Sequence, residues 1–196
     1  MGRALRLIDP ELPYHVGTRG NDRRAIVLDD WDRCALVGML GDVVERYCLV
    51  VFAWCLMNNH FHAILRAPEG GLSEAMQELL GGYARRWNIR YGRTGHLFHN
   101  RFYGGAIESD KHLLETSRYV VLNPVRAGIC GHPGRWTWSS YRASAGLEPA
   151  PAWLALGEFL PFFDPAPADA FRRYRQFVSQ GQVPVSDTET GPVRPR

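Results

Sequence analysis

Lysine is almost absent from this chain: Lys111 is the only one, so 22 of its 23 cations are arginine. Arginine's planar fork suits two-pronged contacts to phosphate, although a biased genome gives the same enrichment. Cysteine is scarce too. Cys34, Cys48, Cys55 and Cys130 form no closely spaced pair, which excludes a disulfide framework and a zinc ribbon and makes a reducing compartment the simpler setting. No stretch reaches the roughly 20 apolar residues of a membrane span, and the opening MGRALRLIDPELP has no signal-peptide apolar core. We therefore expect a cytoplasmic protein with no membrane partner. Internal repeats and low-complexity blocks are also missing.

The 196 residues are 45% hydrophobic and 12% aromatic, the composition of a folded domain with a real core. The net charge of +3 is too small to name a partner, but it averages over a gradient. Residues 81–106 carry Arg85, Arg86, Arg90, Arg93 and Arg101 with no Asp or Glu, and residues 81–142 hold ten basic and three acidic residues. Such a stretch fits either a phosphate-binding face or a solvated helix surface.

Hydrophobic periodicity places the elements. Tyr14 to Arg19 reads as a strand ended by Gly20-Asn21. A helix begins at Asp30 and spaces Trp31, Ala35, Leu36, Met39, Leu40, Val43, Val44 and Tyr47 for one apolar face. The continuous apolar run Tyr47 to Met57 predicts a central strand covered on both faces, paired through an Asn58-Asn59 turn with His60 to Arg66. A second helix spans Ser73 to Tyr91, and Leu97 to Ile107 reads as another strand. Ser109 and Asp110 open a third helix, with Asn123-Pro124 as its stop. The order β-α-β-β-α-β-α predicts an α+β, ferredoxin-like split β-α-β fold, an antiparallel sheet with helices on one face. We expect this domain to occupy residues 1–146. A helical C-terminal appendage would follow at 147–180, with helical segments near Trp153 to Leu160 and Asp169 to Val178. The polar tail 181–196 is expected to be disordered.

Candidate chemistry begins on the second strand of the hairpin. Alternation puts His60 and His62 on one face, about 6.6 Å apart at Cα, with Phe61 turned to the core. Two imidazoles at that spacing can grip one ion, yet a His-x-His pair is commonly just a surface or hydrogen-bonded core feature. Tyr119 and Asn123 lie one helical turn apart on a single face, offering a nucleophile and a neutral oxygen; the same pattern fits a core aromatic and a helix-end residue. Trp136, Trp138 and Tyr141 provide rings for stacking on unpaired bases or for anchoring their segment to the core. His96, His99 and His112 receive no role.

Five ordered motifs resemble one family. They are Tyr14-His15-Val16-x-x-Arg19-Gly20-Asn21, Met57-x-Asn59-His60-Phe61-His62, Gly95-His96-Leu97-Phe98-x-x-Arg101-Phe102, Arg118-Tyr119 through Gly128, and Trp138-Ser139-Ser140-Tyr141. Together they look like a REP-associated tyrosine transposase, a single-tyrosine HUH endonuclease of the IS200-like group, over residues 12 to 145. That resemblance implies Tyr119 as catalytic nucleophile and His60, His62 and Asn123 as ligands of a divalent metal, Mg²⁺ or Mn²⁺. It further implies a single-stranded or hairpin DNA partner cleaved and rejoined through a 5′-phosphotyrosine. Arg19, Asn21, Arg85, Arg86, Arg90, Arg93, Arg101 and Arg126 are the candidate DNA contacts. The chain departs from the family's pattern at Asn58, where relatives often carry Pro, and at Gly104-Gly105, where they often carry a basic or hydroxyl residue. Two other readings use the same residues: a hairpin-binding protein without catalysis, and a metal-dependent phosphohydrolase that uses water. A monomer and a homodimer are equally compatible with the sequence.

Overall fold

The computed structural model describes residues 8–181. Four strands, β1 (Tyr14–Arg19), β2 (Val50–Leu56), β3 (His60–Arg66) and β4 (Tyr103–Ala106), form one antiparallel sheet in the order β2-β3-β1-β4. The expected α+β order is present, with α1 (Asp30–Arg46), α2 (Leu72–Arg90) and α3 (Asp110–Arg126) between and after the strands. Local chemistry starts two of these helices. The Asp29 carboxylate accepts from Asp32 N–H at the head of α1, and Ser109 Oγ accepts from His112 N–H at the head of α3.

Two cores sandwich the sheet. Val16, Leu56, Phe61, Ala63 and Leu65 point to one face and pack with Leu36 and Leu40 of α1 and Met76, Leu79 and Tyr83 of α2. Phe52, Ala53, Cys55 and Ile64 point to the other, against Val120 and Val121 of α3. Phe52 and Ala53 share that face because the β2-β3 register shifts between Val51 and Ala53, a bulge that sets two residues against one. Placement on one face thus describes the two crossover helices, while α3 covers the opposite side and brings its own residues over His60 and His62.

Three expectations change in the fold. The apolar run Tyr47 to Met57 is not a central strand: Tyr47 and Cys48 form a turn, Cys48 at φ +50°, and β2 lies at the sheet's end. It is apolar on both sides because helices cover both faces. Its outer edge is closed by later chain, with Leu56 N–H donating to Trp138 O (2.9 Å), Trp54 N–H to Ser140 Oγ (3.0 Å) and Ala155 N–H to Val51 O (2.9 Å). The strand expected from Leu97 shrinks to β4. Residues 97–99 instead pair with 19–21 at the end of β1 and just past it, through Asn21 N–H to Leu97 O (2.8 Å) and His99 N–H to Arg19 O (2.9 Å).

Helix α3 also runs through Pro124 to Arg126 rather than stopping there. Proline has no N–H for the Val120 carbonyl, and Asn123 Nδ2–H donates to that oxygen (3.3 Å) and to Tyr119 O (3.0 Å). The side chain before the proline replaces the missing backbone bond.

Beyond α3 the chain forms α4 (Tyr141–Ser144), α5 (Leu156–Phe159) and α6 (Pro167–Ser179). Phe159, Ala170, Tyr174 and Val178 join the core beneath α3, so the segment expected as an appendage adds apolar cover to the helix that carries Tyr119. Trp136 and Tyr141 anchor their segment to the core. Trp136 Nε1–H donates to Leu56 O (3.1 Å), and Tyr141 is buried. The tail beyond Gly181 lies outside the described residues. Among those residues no helix is long and apolar enough to cross a membrane.

Candidate active site

The α3 face of the sheet opens into a cleft of about 510 Å³. Strand register builds its floor: Gly17 stands opposite His62 and Arg19 opposite His60, so these side-chain positions share a face. Gly17 is required there, because a Cβ at that position would lie 2.9 Å from His62 Nδ1. Helix α3 supplies Tyr119 and Asn123 from above. Among the described residues no carboxylate lines the cleft, leaving it electropositive and open to a polyanion.

Hydrogen bonding decides which lone pairs face inward. Asn59 Nδ2–H donates to Arg23 O (3.1 Å), so its Oδ1 accepts from His60 Nδ1–H (2.7 Å). His60 is left with an unprotonated Nε2 on the cleft side. Asn123 spends its Nδ2 on the Tyr119 and Val120 carbonyls, and its Oδ1 stands 3.5 Å from His60 Nε2. Two acceptors therefore face each other, an arrangement that a cation between them satisfies. The His62 ring lies beside that of His60, centroids 5.1 Å apart. Among the described residues no group of three or more His, Cys, Asp or Glu is placed to hold a metal. The fitting donor set is two imidazoles and an amide oxygen, all neutral, with the mixed N and O character that Mn²⁺ and Mg²⁺ accept.

Burial keeps these rings uncharged. It lowers His60, helped by Arg19 and opposed by the bond that a protonated Nε2 makes to Asn123. It lowers His62 to about 3, with His15, His60 and Arg19 adding to the effect. His62 titrates near 6.5 when unfolded and about 3 when folded, so the unfolded chain takes up the proton first and stability falls as pH drops below 6.5. Thermal melts of metal-free protein should show a Tm that declines from pH 6.5 to 4, and His62→Gln should flatten that decline.

Tyr119 is 38% exposed. Its ring meets His62 and His15 edge-on at 5.9 and 6.0 Å, and the Arg126 guanidinium lies 5.1 Å from its centroid. The residue that sequence reasoning missed is His15, whose Nε2 is 3.1 Å from His62 Nδ1. Alternation along Tyr14–Arg19 puts it on the face of Gly17 and Arg19, a signal visible only once that face is known to be the functional one. His99, assigned no role, lines the cleft and donates from Nδ1–H to Asn21 Oδ1 (3.4 Å).

The arginines divide. Arg19 and Arg101 line the cleft and Arg126 stands over Tyr119. Arg85, Arg86, Arg90 and Arg93 do not reach it, because α2 and the turn after it pack on the other side of the sheet. Arg86 and Arg90 stack on Trp31, each 4.3 Å from its centroid, and Arg93 lies 5.6 Å from that of Trp87. Arg90 is bound to Asp29 and Asp32, both at 2.5 Å. Asn58 does more than shape a turn: its Oδ1 accepts from Arg33 Nη2–H at 2.8 Å. At Gly104-Gly105, Tyr103 folds over Gly105 with its hydroxyl 2.6 Å from where a Cβ would be.

Comparison with known proteins fits this geometry. A family model described as IS200-like transposase matches residues 10–123. The chain belongs to the IS200-like transposase family. A Haemophilus influenzae protein described as a REP-associated tyrosine transposase is 25% identical over 116 residues, 53% of this chain; the match spans 65% of that relative's length. Among solved structures, a REP-associated tyrosine transposase bound to a REP hairpin aligns with TM-score 0.61 and 21% identity, covering 76% of this chain and 89% of that one. It shares the fold of this transposase-family chain. A transposase from Deinococcus radiodurans aligns at TM-score 0.43 and 19% identity, over 61% and 95% of the two chains.

Proposed function

We propose that this chain is a metal-dependent single-stranded DNA endonuclease and strand transferase that cleaves DNA hairpins of the REP type through a 5′-phosphotyrosine and rejoins them. The observation that carries this reading is the convergence of Tyr119 and Asn123, one turn apart on α3, over His60 and His62 in a cleft lined by arginine and, among the described residues, by no carboxylate. The relative solved with a REP hairpin supports the choice of substrate.

In this reading the Tyr119 oxygen attacks a backbone phosphorus, the P–O3′ bond breaks, and the 5′ side stays bonded to the tyrosine. The phenol loses one proton and the 3′-oxygen gains one, so the step is neutral overall. The new phosphodiester keeps the energy of the old, and a 3′-OH can reverse the step without ATP. His60, His62 and Asn123 would hold a divalent ion, which when bound supplies polarisation of the phosphate oxygens and of the departing 3′-oxygen. Arg19 and Arg101 hold flanking phosphates by charge and contribute affinity rather than sequence choice. Arg126 stands over the Tyr119 ring, 5.1 Å from its centroid, and adds positive charge for the phosphate that the ring approaches.

A hairpin oligonucleotide with an unpaired flank, incubated with protein and Mn²⁺, should give a covalent adduct resistant to denaturing electrophoresis, and chelation should remove it. Cleavage without an adduct would instead mean water attack, and binding without cleavage under either Mg²⁺ or Mn²⁺ would mean a hairpin-binding protein.

A further inference from the structure

We propose that His15 is a positioning residue for the metal site: its Nε2 accepts from His62 Nδ1–H and so presents an unprotonated His62 Nε2 to the ion. The inference rests on the reading of His60, His62 and Asn123 as ligands, and it concerns a side chain to which that reading gives no part.

Each of the three ligand side chains needs a partner that decides which atom faces the cleft. For His60 it is Asn59 (2.7 Å), and for Asn123 it is the carbonyl pair of Tyr119 and Val120. For His62 the partner is His15, at 3.1 Å. An imidazole binds a metal through one nitrogen only if the proton sits on the other, and a hydrogen-bond acceptor at that other nitrogen holds the proton there. The contact joins neighbouring strands: His15 is paired with Ile64 and Gly17 with His62, so the two imidazoles meet diagonally across β1 and β3. Gly17 leaves the space that lets them meet. The ring of His15 is fixed further by edge contacts to Tyr103 and Tyr119, at 5.9 and 6.0 Å. A donor role for His15 would place the hydrogen of His62 on Nε2 and block the ion, so the sign of the effect on metal affinity reports the direction of the bond.

Calorimetric titration with Mn²⁺, in the absence of DNA, tests the assignment on the full chain. His15→Phe keeps a ring and removes the acceptor, and it should weaken Mn²⁺ binding about 10- to 100-fold. His15→Gln supplies a carbonyl acceptor and should recover most of that loss, which filling of space alone would not do. Gly17→Ala, which presses a methyl onto His62 Nδ1, should also weaken binding; thermal melts of the metal-free variants check that each folds. Unchanged or tighter Mn²⁺ binding by folded His15→Phe overturns the proposal while leaving the metal site itself intact. Absence of Mn²⁺ binding by the unaltered protein, with no change in His60→Ala, overturns both this proposal and the ligand assignment beneath it.

Discussion

Tyr119→Phe should abolish the covalent protein–DNA adduct and lower cleavage by about 10⁴-fold or more, the scale on which loss of a nucleophile acts. The substitution is unusually clean here. The Tyr119 hydroxyl makes no hydrogen bond among the described residues, and phenylalanine keeps the edge contacts to His15 and His62 and the face beneath Arg126. Stability should therefore stay within about 0.5 kcal/mol of the parent, as for other partly exposed substitutions. Hairpin affinity should persist as well, since Arg19 and Arg101 remain. Full cleavage by the Phe variant would assign the nucleophile elsewhere, and Tyr103, 62% exposed at the edge of the same cleft, would be the next residue to replace.

The largest effect on stability is expected far from that site. Asp32 is 1% exposed and joins three elements. It accepts from Leu28 N–H (2.8 Å), from the Tyr91 hydroxyl (2.8 Å) and from Arg90 Nη1–H (2.5 Å). Burial and the bond to Asp32 push Tyr91 up to about 12, so it stays a donor at any working pH. Asp32→Ala would leave a backbone donor and a hydroxyl without their acceptor and free one arm of Arg90. A loss of about 3 kcal/mol or more follows, which for a domain of this size is a fall in Tm of roughly 6–12 °C. Calorimetric melts would measure it, and a change under 2 °C would refute the assignment of Asp32 as the hub. The same network removes Arg90 from the DNA contacts expected from sequence, because an arginine clamped by two carboxylates has little charge left for phosphate.

The basic stretch shows why charge along a chain misleads about charge in space. Arg85, Arg86, Arg90, Arg93 and Arg101 are neighbours in sequence, but a helix on the far face of the sheet carries the first three and the turn after it the fourth. Only Arg101 reaches the cleft, where it meets Arg19, eighty-two positions earlier. His15 was hidden for a related reason. A lone histidine on a short strand has no distinguishing spacing, and its meaning comes from the strand it is paired with. Pro124 misled in the opposite direction. Proline in a helix removes a bond and normally ends it, yet Asn123 replaces that bond with its own amide, and the replacement turns its oxygen toward His60.

Composition and period were enough to establish a folded domain, the β-α-β-β-α-β-α order, and the pairing of His60 with His62 and of Tyr119 with Asn123, because alternation and helical repeat are local properties of a chain. Motif order was enough to point to the family. Tertiary structure alone decided that α3 lies on the sheet face opposite α1 and α2, that β2 closes the sheet's end under later chain, and that three of the expected arginines gather at the cleft. It also decided that His60 meets Asn59 and Asn123 and that His62 meets His15. Those are matters of which faces meet and which donors find acceptors, and residues far apart in sequence settle them only when packing brings them within 3 Å or so of one another.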